Sequence, residues 1–271
     1  MSNTDYTQTS AARAVSAIHH ITAIAGDPQE NLQFYVGVLG LRLVKKSINQ
    51  DAPDTYHLFF ADGEGHPGTD LTFFPWPSMG PGRIGHGVWG EVSFAVPAGS
   101  LEWWKQRLQK ADVTNIAEET RFGEPVLAFH DPHGMALALV ETEPHPGHSF
   151  TVWDGSDVPG DTQIRALCSV RITTRGMDPT ARFLSGAYGF TERAVEDGWH
   201  RFAVGEAAGG QRIDIREEPE AVRGNWGVGS VHHVAFRVRD DEQEQQVRTQ
   251  ILGSGGQPTQ VIDRFWFKSV Y

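Results

Sequence analysis

The stretch Ile18-His19-His20-Ile21-Thr22 has a near copy at Val231-His232-His233-Val234-Ala235. In each stretch a pair of histidines runs into β-branched and small apolar residues, which predicts a β-strand. Side chains alternate between the two faces of a strand, so we expect one histidine of each pair to face a given side. Two such histidines can meet at one metal ion, because neutral imidazole binds iron, zinc, copper and nickel. A histidine that only makes a hydrogen bond is the simpler interpretation, but two matching pairs in matching contexts favour the metal.

Around the two His pairs, the chain forms four imperfect repeats with the order strand, helix and then strands. Asp27-Pro28 begins the first predicted helix, with aspartate as the N-cap and proline at the first helical position, and Asp178-Pro179 repeats this start in the third unit. Asp27 follows His20 by seven residues, and Asp240 follows His233 by seven. The second histidine of each pair therefore occupies the same position in its repeat.

The repeats predict an α+β fold of four βαβββ units in two tandem domains, with the last unit incomplete at the C-terminus. We expect a disordered lead-in over residues 1–16, an N-terminal domain over 17–145, a linker over 146–163 and a C-terminal domain over 164–271. A sheet edge left unpaired in the last unit would invite association, which is compatible with a homo-oligomer.

Composition excludes several classes of protein. The 271 residues include 39% hydrophobic residues, enough for a real core, and 23 basic against 34 acidic residues. The net charge of -11 argues against binding to nucleic acid or to anionic membrane surfaces. Cys168 is the single cysteine, so an internal disulfide and a multi-cysteine metal site are excluded, and a reducing, cytoplasmic location is expected. No apolar run is long enough to span a bilayer.

Several motifs resemble the vicinal oxygen chelate superfamily, which includes glyoxalases, bleomycin resistance proteins and extradiol dioxygenases. The resemblance begins near Ala17 and covers nearly the whole chain. The motifs that look like the opening of that superfamily are His19-His20-Ile21-Thr22, Gly26-Asp27-Pro28, Phe34-Tyr35 and Val38-Leu39-Gly40-Leu41. The stretches that resemble ring-cleaving dioxygenases of the hydroquinone 1,2-dioxygenase type are 41–46, 55–58, 67–76, 231–236 and 263–271.

This resemblance implies an enzyme that opens a hydroquinone-type or related phenolic ring with O₂ at one Fe(II), although the same ligands also suit Mn(II). It places His20 and His233 as metal ligands beside one carboxylate, with positions left open for a small aromatic substrate and oxygen. His19 would then lie near the substrate as an acid-base group or as support for a ligand. Arg264 and Tyr271 match positions that reach the substrate hydroxyls, where an arginine stabilises a phenolate and a tyrosine donates a hydrogen bond.

The third metal ligand departs from the family pattern. In the family it is a glutamate in the last strand of the fourth unit, so we expect it beyond Tyr271 and expect the chain to be a fragment. Asp70 is an alternative ligand, because other superfamily members place a glutamate at its position. In the second unit, Glu91 aligns with a ligand histidine and is interpreted as a polar cleft residue, and Ala138 stands where a carboxylate would be.

Two further functions stay open on the sequence. A glyoxalase-like isomerase or lyase with zinc or nickel would need a His and a Glu from each of two units, which the second unit does not supply. A protein that binds a small aromatic without turnover would need no metal. We expect the remaining histidine pairs to be solvated, His130 and His133 in a turn and His145 and His148 in the linker.

Overall fold

The computed structural model describes residues 15–205, 208–265 and 267–271. The first unit shows why these elements form. Asp27 caps its helix, because Oδ1 accepts hydrogen bonds from the backbone N–H groups of Gln29 (2.8 Å) and Glu30 (2.9 Å), and Pro28 needs no such partner. The helix continues as a π-helical turn, and Gly40 ends it with a left-handed φ of 71°.

Each unit contributes one strand, a helix and further strands. In chain order the elements are β1 Ala17–Ala25, α1 Pro28–Leu32 with a π-helical turn Gln33–Val38, β2 Arg42–Ile48, β3 Tyr56–Ala61, β4 Asp70–Pro75, β5 Trp89–Val96, α2 Leu101–Lys110, β6 Ala117–Arg121, β7 Glu124–His130, β8 Ala136–Glu141, β9 Ala166–Thr174, α3 Met177–Phe183 with a π-helical turn Leu184–Tyr188, β10 Thr191–Glu196, β11 Trp199–Ala203, β12 Arg212–Glu217, β13 Val231–Arg237, α4 Asp241–Gly253, β14 Ile262–Asp263 and β15 Lys268–Ser269. The predicted mixed fold of repeated units is confirmed.

The main sheets pair units that are not consecutive in the chain. The first sheet has the strand order β13-β1-β4-β3-β2, so it joins the first unit to the fourth. The second sheet has the order β10-β11-β12-β9-β5-β8-β7-β6 and joins the third unit to the second. The boundaries predicted at 17–145 and 164–271 therefore divide the repeats along the chain, whereas each of these sheets combines strands from both ranges. One continuous apolar core lies under both sheets and includes Tyr35, Phe73, Trp104 and Phe190.

The predicted linker over 146–163 is packed against the first unit. Asp62 accepts the backbone N–H of Thr151 at 2.7 Å, and the buried amide of Gln163 exchanges hydrogen bonds of 3.0 Å with the backbone of Trp153. Val158 is buried in the same segment. The polar groups of this predicted linker therefore have partners within the protein.

Three further expectations differ from the structure. Residues 1–14 of the predicted lead-in lie outside the described residues, but Val15 is buried and donates to the backbone of Tyr188. The third helix begins at Met177, one residue before Asp178, and has no side-chain cap. The last unit was expected to leave a sheet edge unpaired, and its two short strands, β14 and β15, pair with each other. Within the described ranges, no helix combines the length and apolar character needed to cross a membrane.

Candidate metal centre

The two histidine pairs lie on β1 and β13, which are antiparallel neighbours in the first sheet. The register shifts at both pairs, so that His19 and His232 each face no residue across the ladder. Such an extra residue is a β-bulge, and it changes the direction of the side chains next to it. Ring nitrogens of His19 and His20 are 3.0 Å apart, and those of His232 and His233 are 2.9 Å apart. The prediction that only one histidine of each pair faces a given side is therefore wrong, because alternation fails at a bulge.

His20 and His233 face each other across the two strands, with their Nε2 atoms 3.2 Å apart. Burial, followed by the neighbouring His233, holds the pKa of His20 well below its usual value, and burial with His232 lowers the pKa of His233 to about 4. Both rings are therefore neutral near pH 7, and each can offer a lone pair. Two neutral imidazole nitrogens that face each other at this distance would suit a first-row metal, which takes nitrogen donors.

The first histidine of each pair lies within hydrogen-bond distance of the second, with Nδ1 facing Nδ1. If the Nε2 of His20 carries the lone pair, its Nδ1 carries the hydrogen and donates it to Nδ1 of His19. The same holds for His233 and His232. Metal-binding histidines are usually oriented in this way by an acceptor behind the ring. His19 and His232 each lie behind the second histidine of their pair, and the role predicted for His19 stays a prediction.

A third histidine, His57 on β3, belongs to the same cluster and was not predicted as a site residue. Its Nε2 lies 2.8 Å from Oγ1 of Thr72, which lies 2.8 Å from Oγ1 of Thr22, which in turn lies 3.0 Å from Nε2 of His233. Burial, followed by the electrostatic influence of the neighbouring His233 and Lys45, lowers the pKa of His57 to about 3. In the sequence, His57 and Phe59 share one face of a predicted strand. That pattern does not show which residues of the neighbouring strands lie beside His57.

Arg264 and Tyr271 lie together beside the histidines. The Tyr271 ring centroid is 6.1 Å from that of His233, and the Arg264 guanidinium lies 5.7 Å from the Tyr271 ring. Both terminal nitrogens of Arg264 are 3.3 Å from the carboxylate of Asp51, in the loop before β3. The structure thus brings the predicted residues to one place, although their role stays a prediction.

Aromatic side chains surround the histidines. Trp226 stacks on His232 with ring centroids 4.7 Å apart and planes 22° apart, and it is 57% exposed. Phe74 meets His232 from another side at 5.4 Å, and Trp76 lies 6.3 Å away. Phe59 stacks on His57 at 4.0 Å. These faces form an apolar wall that can receive a flat ring.

The third ligand stays a prediction. Asp70 pairs with His20 in the register of β4 and β1, and burial raises its pKa to about 7. However, no group of three histidine, cysteine or carboxylate side chains surrounds one point in the part of the chain that the structure describes. Asp70 thus lies next to the two facing histidines, and His20 and His233 stay the predicted ligands.

The second sheet carries ion pairs where the first sheet carries histidines. Glu91 follows a register shift in β5, as His20 does in β1, and binds Arg121 through two contacts of 2.6 and 3.1 Å. Arg201 binds Asp214 through contacts of 2.8 and 2.9 Å on the neighbouring strands. Both oxygens of the Glu91 carboxylate are bound by the Arg121 guanidinium, so the interpretation of Glu91 as a polar residue agrees with the structure.

The other histidines differ from expectation in two places. His133 was expected in an exposed turn, but its side chain is only 7% exposed and packs against Gly26. His148 was expected to be solvated, but its Nε2 donates to the backbone oxygen of Arg165 at 2.9 Å. A cavity of about 400 Å³ lies beside His145 and His148, away from the candidate centre. Cys168 is fully buried.

Comparison with known proteins places the chain in a family. Residues 17–151 match the family described as the Glyoxalase/Bleomycin resistance protein/Dioxygenase superfamily. The chain is 41% identical over 261 residues to "Putative ring-cleaving dioxygenase MhqO" of Bacillus subtilis (strain 168), a match that covers 96% of this chain and 81% of the relative. It is 32% identical to "Chlorohydroquinone/hydroquinone 1,2-dioxygenase" of Sphingobium indicum, with 95% of this chain and 81% of the relative covered.

Solved structures agree with this assignment. A crystal structure described as "putative dioxygenase from Bacillus subtilis subsp. subtilis str. 168" superposes with a TM-score of 0.87 at 40% identity, covering 96% of this chain and 82% of that chain. Glyoxalase I from Zea mays has a TM-score of 0.63 at 14% identity and covers 91% of this chain and 82% of that chain, which shows the shared fold alone. The chain therefore belongs to the Glyoxalase/Bleomycin resistance protein/Dioxygenase superfamily, and its full-length similarity is to enzymes named for ring cleavage.

Proposed function

We propose that this protein is a metal-dependent dioxygenase that opens the ring of a hydroquinone or a related phenol with O₂. The observation that carries the proposal is the pair of neutral imidazoles, His20 and His233, whose Nε2 atoms face each other at 3.2 Å. The names of the relatives supply the reaction class, and one of them names a hydroquinone. We propose Fe(II) as the metal, because two histidines with a carboxylate and open positions are typical of non-haem iron oxygenases.

His20 and His233 would hold the metal, with His19 and His232 accepting the hydrogens on their Nδ1 atoms. A bound Fe(II) would supply the one-electron chemistry that O₂ needs before it can react with an aromatic ring. The protein's own contribution is to bind and orient the ring.

Orientation of the ring follows from the walls of the site. The aromatic faces of Phe74 and Trp226 flank His232 and can hold a flat ring beside the ligands. Tyr271 can donate its hydroxyl hydrogen to a phenolic oxygen, and the nearby Arg264 cation favours the ionised phenolate. Because the Asp51 carboxylate accepts from both terminal nitrogens of the guanidinium, Arg264 is oriented before the substrate arrives.

The test combines metal content with oxygen uptake. We expect about one iron per chain after anaerobic loading, and oxygen consumption on addition of hydroquinone. His20→Ala and His233→Ala should lose both, whereas His145→Ala, remote from the centre, should keep both. If Asp70→Asn also loses the iron, Asp70 is the carboxylate ligand. Iron-loaded protein that consumes no oxygen with any of a panel of hydroquinones would refute the proposed reaction, and bound phenol without metal would indicate a binding protein instead.

A further inference from the structure

A continuous line of hydrogen bonds runs from β3 to the candidate centre. His57 Nε2 lies 2.8 Å from the Thr72 hydroxyl, that hydroxyl lies 2.8 Å from the hydroxyl of Thr22, and Thr22 lies 3.0 Å from Nε2 of His233. Both threonines are fully buried, so water does not compete for their hydroxyls. The direction in which these bonds point is therefore decided by the groups at the two ends.

The outer end of this line is packed against aromatic rings. The His57 ring contacts the rings of Phe59 and Phe74, with centroid distances of 4.0 and 4.5 Å. These contacts help to orient the ring, and its Nε2 lies at hydrogen-bond distance from Thr72. The surrounding burial also keeps the ring neutral, so it carries one N–H and one lone pair.

The hydrogen bonds that connect His57 to His233 can point in either of two directions. A threonine hydroxyl has one hydrogen, so each can donate once and accept from the other side. If His233 is in its metal-binding form, Nε2 has a lone pair and Thr22 must donate to it. Thr72 must then donate to Thr22, and His57 must donate to Thr72 from Nε2. In the opposite direction, His57 accepts and Thr22 presents lone pairs to the centre.

We propose that His57 is a positioning residue whose Nε2–H fixes the direction of the Thr72 and Thr22 hydroxyls, so that Thr22 presents its hydrogen to the centre. This inference rests on the proposed function, because Thr22 donates only if Nε2 of His233 carries the lone pair that a metal would bind. A metal would take that lone pair away from Thr22, and the donor at His57 would then keep the direction and leave the Thr22 hydrogen for an oxygen atom of the ligand. The centre thereby favours ligands with an acceptor oxygen, such as a phenolate, over ligands that offer only a donor.

The first test needs no metal and no turnover. Long-range ¹H–¹⁵N NMR on the metal-free protein with ¹⁵N-labelled histidine distinguishes the two neutral tautomers, and the signal of His57 is assigned by its absence in His57→Gln. We expect the Nε2–H tautomer for His57 at neutral pH. The Nδ1–H tautomer would overturn the proposal, whatever the activity of the protein.

The second test uses variants of the iron-loaded protein. His57→Phe keeps an aromatic ring but removes the donor, and Thr72→Val removes the hydroxyl, so each should raise the KM for hydroquinone about tenfold, the effect of about 1.4 kcal/mol. His57→Gln supplies an amide N–H and Thr72→Ser restores the hydroxyl, so both should stay within about threefold of the parent protein. The KM of the double variant His57→Phe, Thr72→Val should be no higher than that of either single variant, because each single substitution already interrupts the same series of hydrogen bonds.

Controls separate this inference from the proposed function. Iron content should be unchanged in all four single variants, because neither side chain is a ligand. Tyr56→Phe, on the neighbouring strand position and half exposed, should leave KM within about twofold. If the parent protein turns over hydroquinone but His57→Phe and His57→Gln have equal KM values, the positioning role is refuted. If the parent protein binds no metal and has no activity, the proposed function fails and the tautomer measurement alone decides the inference.

Discussion

Replacing Asp62 by asparagine should separate the packed linker from the first unit. Asp62 is buried, and its Oδ1 accepts the backbone N–H groups of Gly65 (2.7 Å) and His66 (3.0 Å). Its Oδ2 accepts the ring Nδ1 of His66 and the N–H of Thr151, both at 2.7 Å. In the asparagine, an NH₂ group replaces one oxygen and faces these donors. The His66 ring can change tautomer and accept from the amide, but the Thr151 N–H cannot.

The expected cost follows from these contacts. One bond to a charged group is lost, which costs about 1.5–3 kcal/mol, and the remaining bonds lose their charge, so we expect a total of about 3 kcal/mol. At a few degrees per kcal/mol for a chain of this size, the melting temperature should fall by roughly 10 °C. Asp161→Asn is the matched control, because Asp161 is exposed and bonds the adjacent Thr162.

The pH dependence gives a second, independent readout. Burial alone would raise the pKa of Asp62, but the hydrogen bonds from His66 and the backbone amides outweigh it and hold the pKa below the ordinary 3.8. The carboxylate therefore stabilises the fold above about pH 4, and this contribution is lost as the pH falls through the folded-state pKa. Urea unfolding at pH 7 and pH 3 measures the difference between parent and Asp62→Asn. A difference below 1 kcal/mol at pH 7, or one that does not shrink at pH 3, would refute the reasoning.

Three further predictions address the centre and the fold. His233→Ala should reduce the bound metal to background in elemental analysis, whereas His145→Ala should keep it. The reason is that His233, unlike His145, faces the Nε2 of another imidazole. Tyr35→Phe deletes a buried hydroxyl that donates to Asp131 at 3.0 Å and should cost about 1–3 kcal/mol in urea unfolding, unless Asp131 gains another donor. Gly40→Ala puts a Cβ 2.4 Å from a methyl group of the packed linker, at a residue whose φ is 71°. The substitution should therefore lower the free energy of unfolding by more than about 1 kcal/mol, and an unchanged value would show that the linker moves aside.

Local features of the fold could be predicted from the sequence, because local chemistry decides them. The helix after Asp27 begins where a capping aspartate and a proline predict it. The meeting of His20 and His233 followed from matched motifs at equal distances from a helix start. Such patterns depend on a few neighbouring residues, so one sequence is enough to read them.

Features that depend on packing across the sheets could not be predicted. The bulges at His19 and His232 are shifts between two strands, which the alternation within one strand does not encode. His57 enters the centre because β3 lies two strands away from β1 in the first sheet. His133 is buried because Gly26 leaves room for its ring, a contact between two units. Each depends on residues far apart in the chain.

The pairing of the first unit with the fourth has a consequence for synthesis of the protein. The second and third units are adjacent in the chain and can complete their sheet as soon as both have left the ribosome. The edge of β1 that pairs with β13 stays unpaired until β13 has been synthesised, since the facing histidines are 213 positions apart. An exposed strand edge is where nascent chains pair wrongly, so this interval is the time at which the protein is most exposed to aggregation. The candidate centre is then the last part to assemble, and a chain interrupted before residue 233 would carry only one of its two facing imidazoles.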